Sequence, residues 1–586
     1  MKKITAILYT KQDAFSFLKF SPKADYVYPL TADALAIIKD NVTLNILDHK
    51  KIFNDHAHKK VIAKTRYLEN IISTYLEKEN QLSDYSKESI TNILHFSLNS
   101  ILYLYYSIKY NGPWLIFNGS QWINYENINE AFEIFFKNTY KIQQPDFFGM
   151  LPKTKQKNIF LLKIINKMIY KKIINKKTIW TTGNSYGLND LNLKISKKNQ
   201  DKNIIYFATP DKNSLFRSLK VLFNLLNPFK KCNYFSITPA LETLSTVKKD
   251  VDKIIKKINL NEIRDATNIL STYITKSIDF SESLHFQFKF FFESSNPLIL
   301  LAHHLKYSDA ALLGFLAKKN NVETILISHG SHVMPKNIIE KYELEANARG
   351  LLISKYANII IAQSKSAYNV VNTLMPEIKC LKYKPIMWGE NDTAFFSKKK
   401  NNKITLLHAG THKILGTRPW IYETSLEFVD GLNSIIKQIN NIENVELIIR
   451  VRPSQECDIT SLKLLLTKSD KVKFSNNTSF YSDLKLSDVL ISFSSTTIEE
   501  ALYLNKKIIL YGGSKRYQHL IPQKNIENQF IYDANESSLS DILKEIIKND
   551  NSFYNHEAIT NYIWPDNIPS KAEFINYINI KINEKN

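Results

Sequence analysis

The sequence predicts an α/β protein with two domains built on parallel sheets and a helix-rich N-terminal elaboration. Its 586 residues exceed the ~250–300 at which one hydrophobic core stops growing, so more than one domain is expected. From about residue 298, apolar runs alternate with helical stretches of 10–15 residues, a rhythm typical of a parallel sheet. After a linker at roughly 384–402, the same rhythm begins again at Lys403. Each repetition predicts one parallel-sheet domain.

The composition excludes several classes of protein. With 44% hydrophobic residues the chain is too apolar to be disordered, and no uninterrupted apolar run reaches the 18 residues of a transmembrane helix. The first apolar run stops at Thr10, which indicates a strand rather than a secretory signal. Cys232, Cys380 and Cys457 lie too far apart for a disulfide framework or a zinc-binding pair. We therefore expect a cytoplasmic protein.

The net charge of +22 has two readings. It comes from 78 basic and 56 acidic residues, but only eight of the basic residues are arginine. The other seventy are lysine, in a chain also rich in Ile and Asn, which is typical of AT-rich coding sequence. The alternative reading is an acidic or membrane-surface partner. We expect no nucleic-acid partner.

The first 290 residues contain few strand signals. Residues 2–9 predict a buried strand, about 61–110 predict helix, and Trp114–Phe117 predicts a short strand after the breaker Gly112-Pro113. Residues 128–177 are expected to be helical. Within them, segment 153–177 interleaves lysines with apolar residues, so its lysine face either contacts an anionic membrane or is simply solvated.

The two α/β units account for the rest of the chain. The expected strands and helices of the first unit are 298–302, 308–319, 322–328, 337–348, 358–362 and 364–374. Those of the second unit are 403–408, 422–439, 445–451, 460–467, 472–474, 489–492, 498–504, 508–511 and 538–548. We expect an N-terminal acceptor-side domain at 1–390, with a helical insertion at about 128–290, and a C-terminal nucleotide-donor domain at 391–560. A helical tail at 561–586 is expected to pack on the N-terminal domain.

The first candidate site follows a predicted strand of the N-terminal domain. His329 and Gly330 come directly after it, and an imidazole at a sheet's carboxyl edge can remove a proton from an acceptor hydroxyl. The alternative is a histidine that only hydrogen-bonds its loop. A four-histidine metal site made of His303, His304, His329 and His332 is a weaker alternative, because no carboxylate is patterned with them.

The second candidate site is the end of the strand VELIIRV. Arg450 and Arg452 fall on one side of this strand, and the planar guanidinium group matches phosphate geometry. The alternative is that one of the two pairs with a structural carboxylate. Arg418 and Arg516 are lower-ranked anion contacts.

The third candidate site is the segment SFSSTTIEEAL. Ser494, Ser495 and Thr496 follow a buried strand and precede a helix, so they could hold a phosphate, and Glu500 could accept hydrogen bonds from a ribose. Thr496 and Glu499 match a capping box, which assigns Glu499 to structure. A fourth, weaker site is the turn at Gly410 and Thr411, which has backbone room for a phosphate.

Three of these elements, in this order, resemble the GT-B glycosyltransferases, which have two Rossmann-like domains facing across a cleft. They are the strand ending in His329-Gly330, the strand followed by Arg452-Pro453, and the Ser-Ser-Thr loop with its Glu-Ala-Leu helix. The resemblance covers about residues 298–515. It is nearest to the bacterial capsule and lipopolysaccharide group that includes CDP-glycerol glycerophosphotransferases and the Kdo and sialic-acid transferases.

The resemblance implies roles for the same residues. His329 would be the base near the acceptor, and Ser494, Ser495 and Thr496 would hold the donor phosphate. The Kdo and sialic-acid transferases usually have His-Pro where this chain has Arg452-Pro453. Arg452 could stabilise a leaving phosphate but could not protonate it.

The implied activity is metal-independent transfer of a sugar from a nucleotide-activated donor to a cell-surface glycan or lipopolysaccharide. No cofactor is expected, and contact with the inner face of an anionic membrane is possible through segment 153–177.

Two enzymatic alternatives stay open, a polyol-phosphate transferase and a nucleotide-sugar epimerase or hydrolase. An epimerase would need cleft carboxylates, for which Glu340, Glu343 and Glu345 are the nearest candidates. The non-enzymatic alternative, a basic scaffold protein, does not explain the Ser-Ser-Thr loop.

Overall fold

The computed structural model contains three β-sheets and several layers of helices. The residues it describes are 3–41, 43–78, 84–109, 112–142, 159–173, 177–182, 187–199, 202–207, 214–226, 234–237, 284–285, 288–306, 308–328, 330, 335–388, 403–410, 412, 420–451, 457–476, 479–513, 516–517, 519–522, 529–548, 559, 561–565 and 567–585.

A small sheet opens the chain. Its strands are β1 (Thr5–Leu8), β2 (Tyr26–Pro29), β3 (Trp114–Phe117) and β4 (Trp122–Tyr125). They lie in the order β2-β1-β3-β4, and only β4 is antiparallel to its neighbour. The helices of this region are α1 (Lys11–Phe20), α2 (Ala32–Ile38), α3 (His49–Ile52), α4 (Asp55–Glu77), α5 (Asp84–Lys109) and α6 (Ile128–Ile142). The predicted helical stretch at 61–110 is thus an α4–α5 pair.

The second sheet has seven strands, all parallel. They are β5 (Thr178–Thr181), β6 (Asn203–Phe207), β7 (Tyr234–Ile237), β8 (Pro297–Ala302), β9 (Glu323–Ile327), β10 (Ile359–Ala362) and β11 (Lys379–Lys382). Its helices are α7 (Ile159–Ile173), α8 (Leu188–Lys198), α9 (Ser214–Leu226), α10 (Ser308–Lys319), α11 (Ile338–Ala348) and α12 (Lys365–Leu374). The order β11-β10-β9-β8-β5-β6-β7 reverses direction between β5 and β8.

Strands β5, β6 and β7 correct the expectation of a helical insertion at about 128–290. They supply three of the seven strands of this sheet. The sequence pattern does not predict these strands, because each is short and is surrounded by Lys and Asn, which favour neither a strand nor a buried position.

The third sheet has six parallel strands. They are β12 (Ile404–His408), β13 (Val445–Arg450), β14 (Val472–Ser475), β15 (Val489–Ser492), β16 (Lys507–Leu510) and β17 (Ile531–Asp533). Its helices are α13 (Ser425–Asn440), α14 (Ile459–Leu465), α15 (Phe480–Leu486), α16 (Thr497–Tyr503) and α17 (Leu539–Lys548). All of these except α15 and β17, which the sequence did not predict, match the sequence prediction within a few residues.

The strand order of the third sheet defines its class. The order β14-β13-β12-β15-β16-β17 is, in sequence terms, 3-2-1-4-5-6, which is the Rossmann arrangement. The seven-stranded sheet follows the same order with one strand added beyond the sixth. The predicted α/β class with two Rossmann-like sheets and a helix-rich N-terminal elaboration is confirmed.

Two further contacts join distant parts of the chain. The small sheet's helix α2 packs on α13 and α14, where the Ala32 backbone N–H donates to Ser425 Oγ at 3.0 Å. A last helix, α18 (Lys571–Glu584), packs on α8 and places Phe574 and Ile578 in the core of the seven-stranded sheet. Within the described ranges, no helix is both long and apolar enough to cross a membrane.

Candidate functional site

Loops from the carboxyl edges of the two Rossmann-like sheets meet at Gly330 and Thr496. Gly330 has a φ of +76°, and a Cβ placed on it would lie 2.1 Å from Thr496 Cγ2. Only glycine combines this backbone conformation with so close an approach. The end of β9 therefore contacts the start of α16, although the two positions are far apart in sequence. His329 itself lies outside the described residues.

The Ser-Ser-Thr loop ends at this contact, because Thr496 is its last residue. Ser494 is buried, and Ser495 Oγ accepts a hydrogen bond from the Thr497 backbone N–H at 3.3 Å. Glu500, one turn into α16, is half-buried. The predicted capping box is wrong, because the Thr496 side chain caps nothing. Thr496 has helical angles (φ −62°, ψ −17°), whereas a capping side chain needs the extended backbone that typical N-cap residues adopt.

Beside this loop, the ends of β15, β16 and β17 enclose a cavity of about 290 Å³. Its lining residues are Lys336, Phe493, Leu510, Tyr511, Gly512, Arg516, Tyr517, Asp533, Ala534 and Asn535. Lys336 comes from the first Rossmann-like unit, and all the others come from the second. In an open α/β sheet ligands bind at the carboxyl ends of the strands, so this cavity has the position expected of a ligand site. We call it the donor cleft, after the nucleotide-donor role that the sequence predicts for this part of the chain.

Two glycines allow the loop after β16 to pack directly against the start of α13. A Cβ on Gly512 would lie 2.6 Å from Glu423 Oε1, and one on Gly513 would lie 1.8 Å from the Glu427 carbonyl oxygen. The Gly513 N–H donates to Glu423 Oε1 at 2.6 Å. The loop after β16 is therefore fixed on the first turn of α13, which makes the floor of the cleft rigid.

Arg516 and Arg450 both make ion pairs with carboxylates. Arg516 forms two hydrogen bonds with Glu427, at 2.5 and 2.9 Å, and both side chains are buried. Burial opposes the charge of Glu427, but Arg516 outweighs it and lowers the pKa of Glu427. Arg450 Nη1 donates to Asp483 Oδ2 at 2.5 Å. Arg450 therefore makes the ion pair that was the structural alternative at the second candidate site, and Arg516, expected as a lower-ranked anion contact, is also paired with a carboxylate.

The turn after β12 is partly described. Gly410 lies against His408, because a Cβ at this position would be 2.8 Å from His408 Cε1. Burial lowers the pKa of His408 to about 4, so this imidazole is neutral at physiological pH and belongs to the core. Thr411, Arg418 and Arg452 lie outside the described residues, and their roles stay predictions.

The corresponding crevice of the seven-stranded sheet lies between β5 and β8. There Thr182 Oγ1 and His303 Nδ1 are 3.0 Å apart, and Thr182 Oγ1 also accepts the His303 backbone N–H at 3.1 Å. The His304 ring packs on His303 with centroids 4.2 Å apart. In the described part of the chain, no three His, Cys, Asp or Glu side chains group as metal ligands. Of the four histidines considered, His329 and His332 lie outside that part.

Gln363, at the end of β10, binds three segments around the cleft. Its Nε2 donates to the Ser328 carbonyl at 2.5 Å, and its Oε1 accepts from the backbone N–H groups of Ile386 and Met387 at 2.6 and 2.9 Å. Its own carbonyl accepts from Tyr503 at 3.4 Å. This buried amide thereby fixes the residue before His329 and the start of the linker.

The three carboxylates that an epimerase could use make contacts with other residues of the chain. Glu340 Oε2 accepts from the Lys336 backbone N–H at 2.8 Å, Glu343 Oε1 contacts His95 at 3.1 Å, and Glu345 pairs with Lys341 at 3.6 Å. None of the three lines the donor cleft as the described residues define it.

Comparison with known proteins finds distant likeness in structure alone. No family model and no curated protein matches the chain. Solved structures that match include a Staphylococcus aureus MnaA–UDP complex (13% identity, 70% of this chain and 97% of that one, TM-score 0.39). Another is the wall teichoic acid polymerase TagF, H444N variant (11%, 78% and 98%, 0.38). A third is MurG of Acinetobacter baumannii (9%, 69% and 99%, 0.33). Likeness at this level establishes neither a shared substrate nor a shared reaction.

The structure brings together only some of the predicted site residues. Gly330 and Thr496 are in contact, and Ser494 and Ser495 lie in the same loop. The sequence analysis did not single out Lys336, Tyr511 or Asp533, which line the donor cleft. Tyr511 and Asp533 stand at the ends of β16 and β17, so the strand ends contained the signal. Lys336 is far from these strand ends in sequence, and only the folded structure brings it to the cleft.

Proposed function

We propose that this chain is a glycosyltransferase that moves a sugar from a nucleotide-activated donor to a cell-surface glycan or lipopolysaccharide. The contact between Gly330 and Thr496 is the observation that supports this most strongly. It joins the loop that follows β9, where a base would act on an acceptor, to the loop beside the donor cleft. A transferase needs these two positions adjacent, because acceptor oxygen and donor carbon must come within bonding reach.

In this proposal the donor occupies the cleft at the ends of β15, β16 and β17. Ser494, Ser495 and Thr496 bind its phosphate. Gly410 and Thr411, which follow the neighbouring strand β12 in sequence, also contact the phosphate in this proposal. Asp533 and Glu500 accept hydrogen bonds from the ribose hydroxyls in this proposal. Arg452 stabilises the leaving phosphate, with Arg450 as a second cation, and His329 removes the proton from the acceptor hydroxyl.

The proposed transfer requires neither a metal ion nor a cofactor. Cationic side chains can neutralise the charge that develops on a leaving phosphate. Lys336 adds to this set, because it reaches the donor cleft from the opposite unit.

A membrane-bound acceptor is supported by an exposed apolar surface on α7 and α9, which pack side by side. We call it the α7–α9 surface; its exposed apolar members are Phe160, Leu161, Ile164, Met168, Phe216, Phe223 and Leu226. Phe160 and Phe216 are 77% and 72% exposed. Exposed lysines, among them Lys167 and Lys171, lie between the apolar positions. Aromatic groups mixed with lysine are typical of surfaces that bind anionic lipid.

The experiment that tests the proposal has two steps. Thermal unfolding of the full chain with CMP, CDP, UDP and GDP identifies the nucleotide by its shift of the melting temperature. The matching nucleotide sugar is then incubated with and without a glycan acceptor. A transferase releases nucleotide only with acceptor, a hydrolase releases it regardless, and an epimerase changes the sugar without release. The absence of a shift with every nucleotide would contradict the proposal.

One alternative within the same site is transfer of a polyol phosphate. The reaction would break the bond between the two donor phosphates, so a CDP-linked donor would yield CMP rather than CDP. Analysis of the released nucleotide by anion exchange separates this outcome from sugar transfer.

A further inference from the structure

A second cavity, of about 380 Å³, lies away from the donor cleft. It is bordered by α4, α5 and the segment after α11. Helix α11 begins beside Lys336 of the donor cleft and ends beside Arg349 of this cavity. At 1.5 Å per residue, its 11 residues separate the two sites by about 16 Å. The volume lies in the range of about 300–1,000 Å³ that small-molecule sites occupy.

The charged side chains of this cavity are mainly cationic. Arg66, Arg349 and Lys355 line it, against the single carboxylate of Glu69. Among the described residues, each guanidinium makes one hydrogen bond, from Nη1 to Glu69, at 3.3 Å for Arg66 and 3.4 Å for Arg349. Their side chains are 29% and 32% exposed. The remaining N–H groups of the two guanidinium groups can therefore donate hydrogen bonds to a ligand.

Glu69 is already engaged by other groups. Its Oε2 is 3.2 Å from His95 Nδ1, and His95 Nε2 is 3.1 Å from Glu343 Oε1. Burial opposes the charge on Glu69, but His95 and the two arginines outweigh it and lower the pKa of Glu69 to about 2. One carboxylate shared by an imidazole and two guanidinium groups leaves Arg66 and Arg349 with a net positive charge.

Two hydroxyl groups of the lining have no hydrogen-bond partner within the described ranges. They are Ser73 Oγ and Tyr356 Oη, both buried, and Tyr356 is only 5% exposed. A buried hydroxyl without a partner is unfavourable, and most such groups in folded proteins bind something. This observation is independent of the charges and also indicates a ligand site.

We propose that this cavity binds the phosphate or carboxylate group of a small anionic ligand, at a site distinct from the donor cleft. Guanidinium groups match the planar geometry of such oxyanions, and two of them lie here with donors to spare. The proposal does not depend on the proposed glycosyltransferase activity.

Binding at this site would act on the wall of the donor cleft. Leu344 of α11 belongs to a buried cluster with Phe493 and Tyr517, which line the donor cleft. Glu343, next to it, joins α11 to His95 and through it to Glu69. An anion held by Arg349 would therefore fix the helix that carries these contacts.

The test is calorimetric titration of the full chain at constant ionic strength with inorganic phosphate and, separately, with citrate. The two arms distinguish a phosphate ligand from a carboxylate ligand. Arg349→Gln should weaken the binding of the preferred anion about tenfold or more, because it removes a charge-assisted hydrogen bond. Tyr356→Phe should weaken it severalfold with no loss of melting temperature. The control Lys437→Gln removes an exposed charge on α13 and should change nothing.

Three results would overturn the proposal. They are no binding of either anion at millimolar concentration, unchanged binding in both Arg349→Gln and Tyr356→Phe, and full displacement of the anion by a nucleotide bound in the donor cleft. If Arg349→Gln does not fold, Tyr356→Phe decides, because it removes only an oxygen that has no hydrogen-bond partner among the described residues.

Discussion

At the scale of single residues, Gly330 gives the most direct test of the cleft. Gly330→Ala adds a Cβ that meets Thr496 and forces a residue with a side chain into a left-handed conformation, which costs about 1–2 kcal/mol. We expect loss of stability and at least a tenfold fall in nucleotide-sugar turnover, measured as kcat/KM.

Gly119→Ala is the matched control for this prediction. Gly119 also has a positive φ, of +100°, but nothing lies within 4 Å of a Cβ placed there. It should lose stability and keep its turnover. Equal turnover in the two variants would mean that the Gly330–Thr496 contact has no part in the reaction.

Arg450, at the end of β13, and Arg452, two residues later in sequence, should behave differently. Arg452→Ala is expected to abolish turnover while the melting temperature stays unchanged. Arg450→Ala leaves Asp483, which is only 5% exposed, without its cation, and should lower the melting temperature. Turnover and thermal unfolding, measured on both variants, separate the roles. Unchanged activity in Arg452→Ala would contradict the donor-site proposal.

At the scale of elements, His95 connects three helices. It lies on α5, between Glu69 of α4 and Glu343 of α11. Burial alone would lower the pKa of His95, but hydrogen bonds with Glu343 and Glu69 raise it above its usual 6.5. The folded state therefore holds a proton that the unfolded chain releases at a lower pH. The stability that this proton contributes is complete below pH 6.5 and is lost as pH rises through the folded pKa.

We therefore expect the stability that His95 contributes, measured as the difference in free energy of unfolding between the wild type and His95→Gln, to shrink as pH rises above 6.5. Glu69 acts in the opposite range, because its stabilisation is lost as pH drops from 4.5 towards 2. Urea unfolding at pH 6, 7 and 8 measures the first effect. His56→Gln, an exposed position on α4, is the control and should follow the wild type. Parallel pH profiles for His95→Gln and the wild type would contradict the prediction.

The α7–α9 surface predicts membrane binding. We expect the protein to sediment with phosphatidylglycerol vesicles at low salt, and Phe160→Ser combined with Phe216→Ser to abolish this. Phe15→Ser combined with Phe20→Ser is the control, because these phenylalanines of α1 are 58% and 56% exposed at a distant surface. If the wild type stays in the supernatant at low salt, the lysines of this surface are only solvated.

At the scale of the whole molecule, α18 ties residues 571–584 to the seven-stranded sheet. Ile578 is completely buried there, whereas Ile580, on the same helix, is 57% exposed. Ile578→Ala should lower the free energy of unfolding by about 2–5 kcal/mol, and Ile580→Ala by less than about 0.5 kcal/mol. Urea unfolding of the two variants makes the comparison. Similar losses would mean that α18 does not pack as described.

The sequence predicted the parts of the fold whose signal is local. Strands β12 and β15 are buried at every position, and β13 alternates buried with half-buried residues, so each appears as a largely apolar run between turns. Strands β5 and β7 do not, because their four residues mix apolar and hydroxyl side chains amid lysine and asparagine. The Ser-Ser-Thr loop was found because it follows such a run. The Gly330–Thr496 contact and the Glu427–Arg516 pair were not, because nothing local marks residues that only the fold brings together.

Helix α18 also has a consequence for how the protein is made. The core of the seven-stranded sheet includes Ile361 of β10 and Ile578 of α18, which are separated by the entire second Rossmann-like unit. At 5–20 residues per second, a ribosome needs about 10–40 s to pass from one to the other. During that interval the part of this apolar core that α18 covers is exposed, although α8 already packs on the same core. The second Rossmann-like unit is synthesised before the core of the first unit is complete. We therefore expect the emerging chain to bind chaperones that shield apolar surfaces.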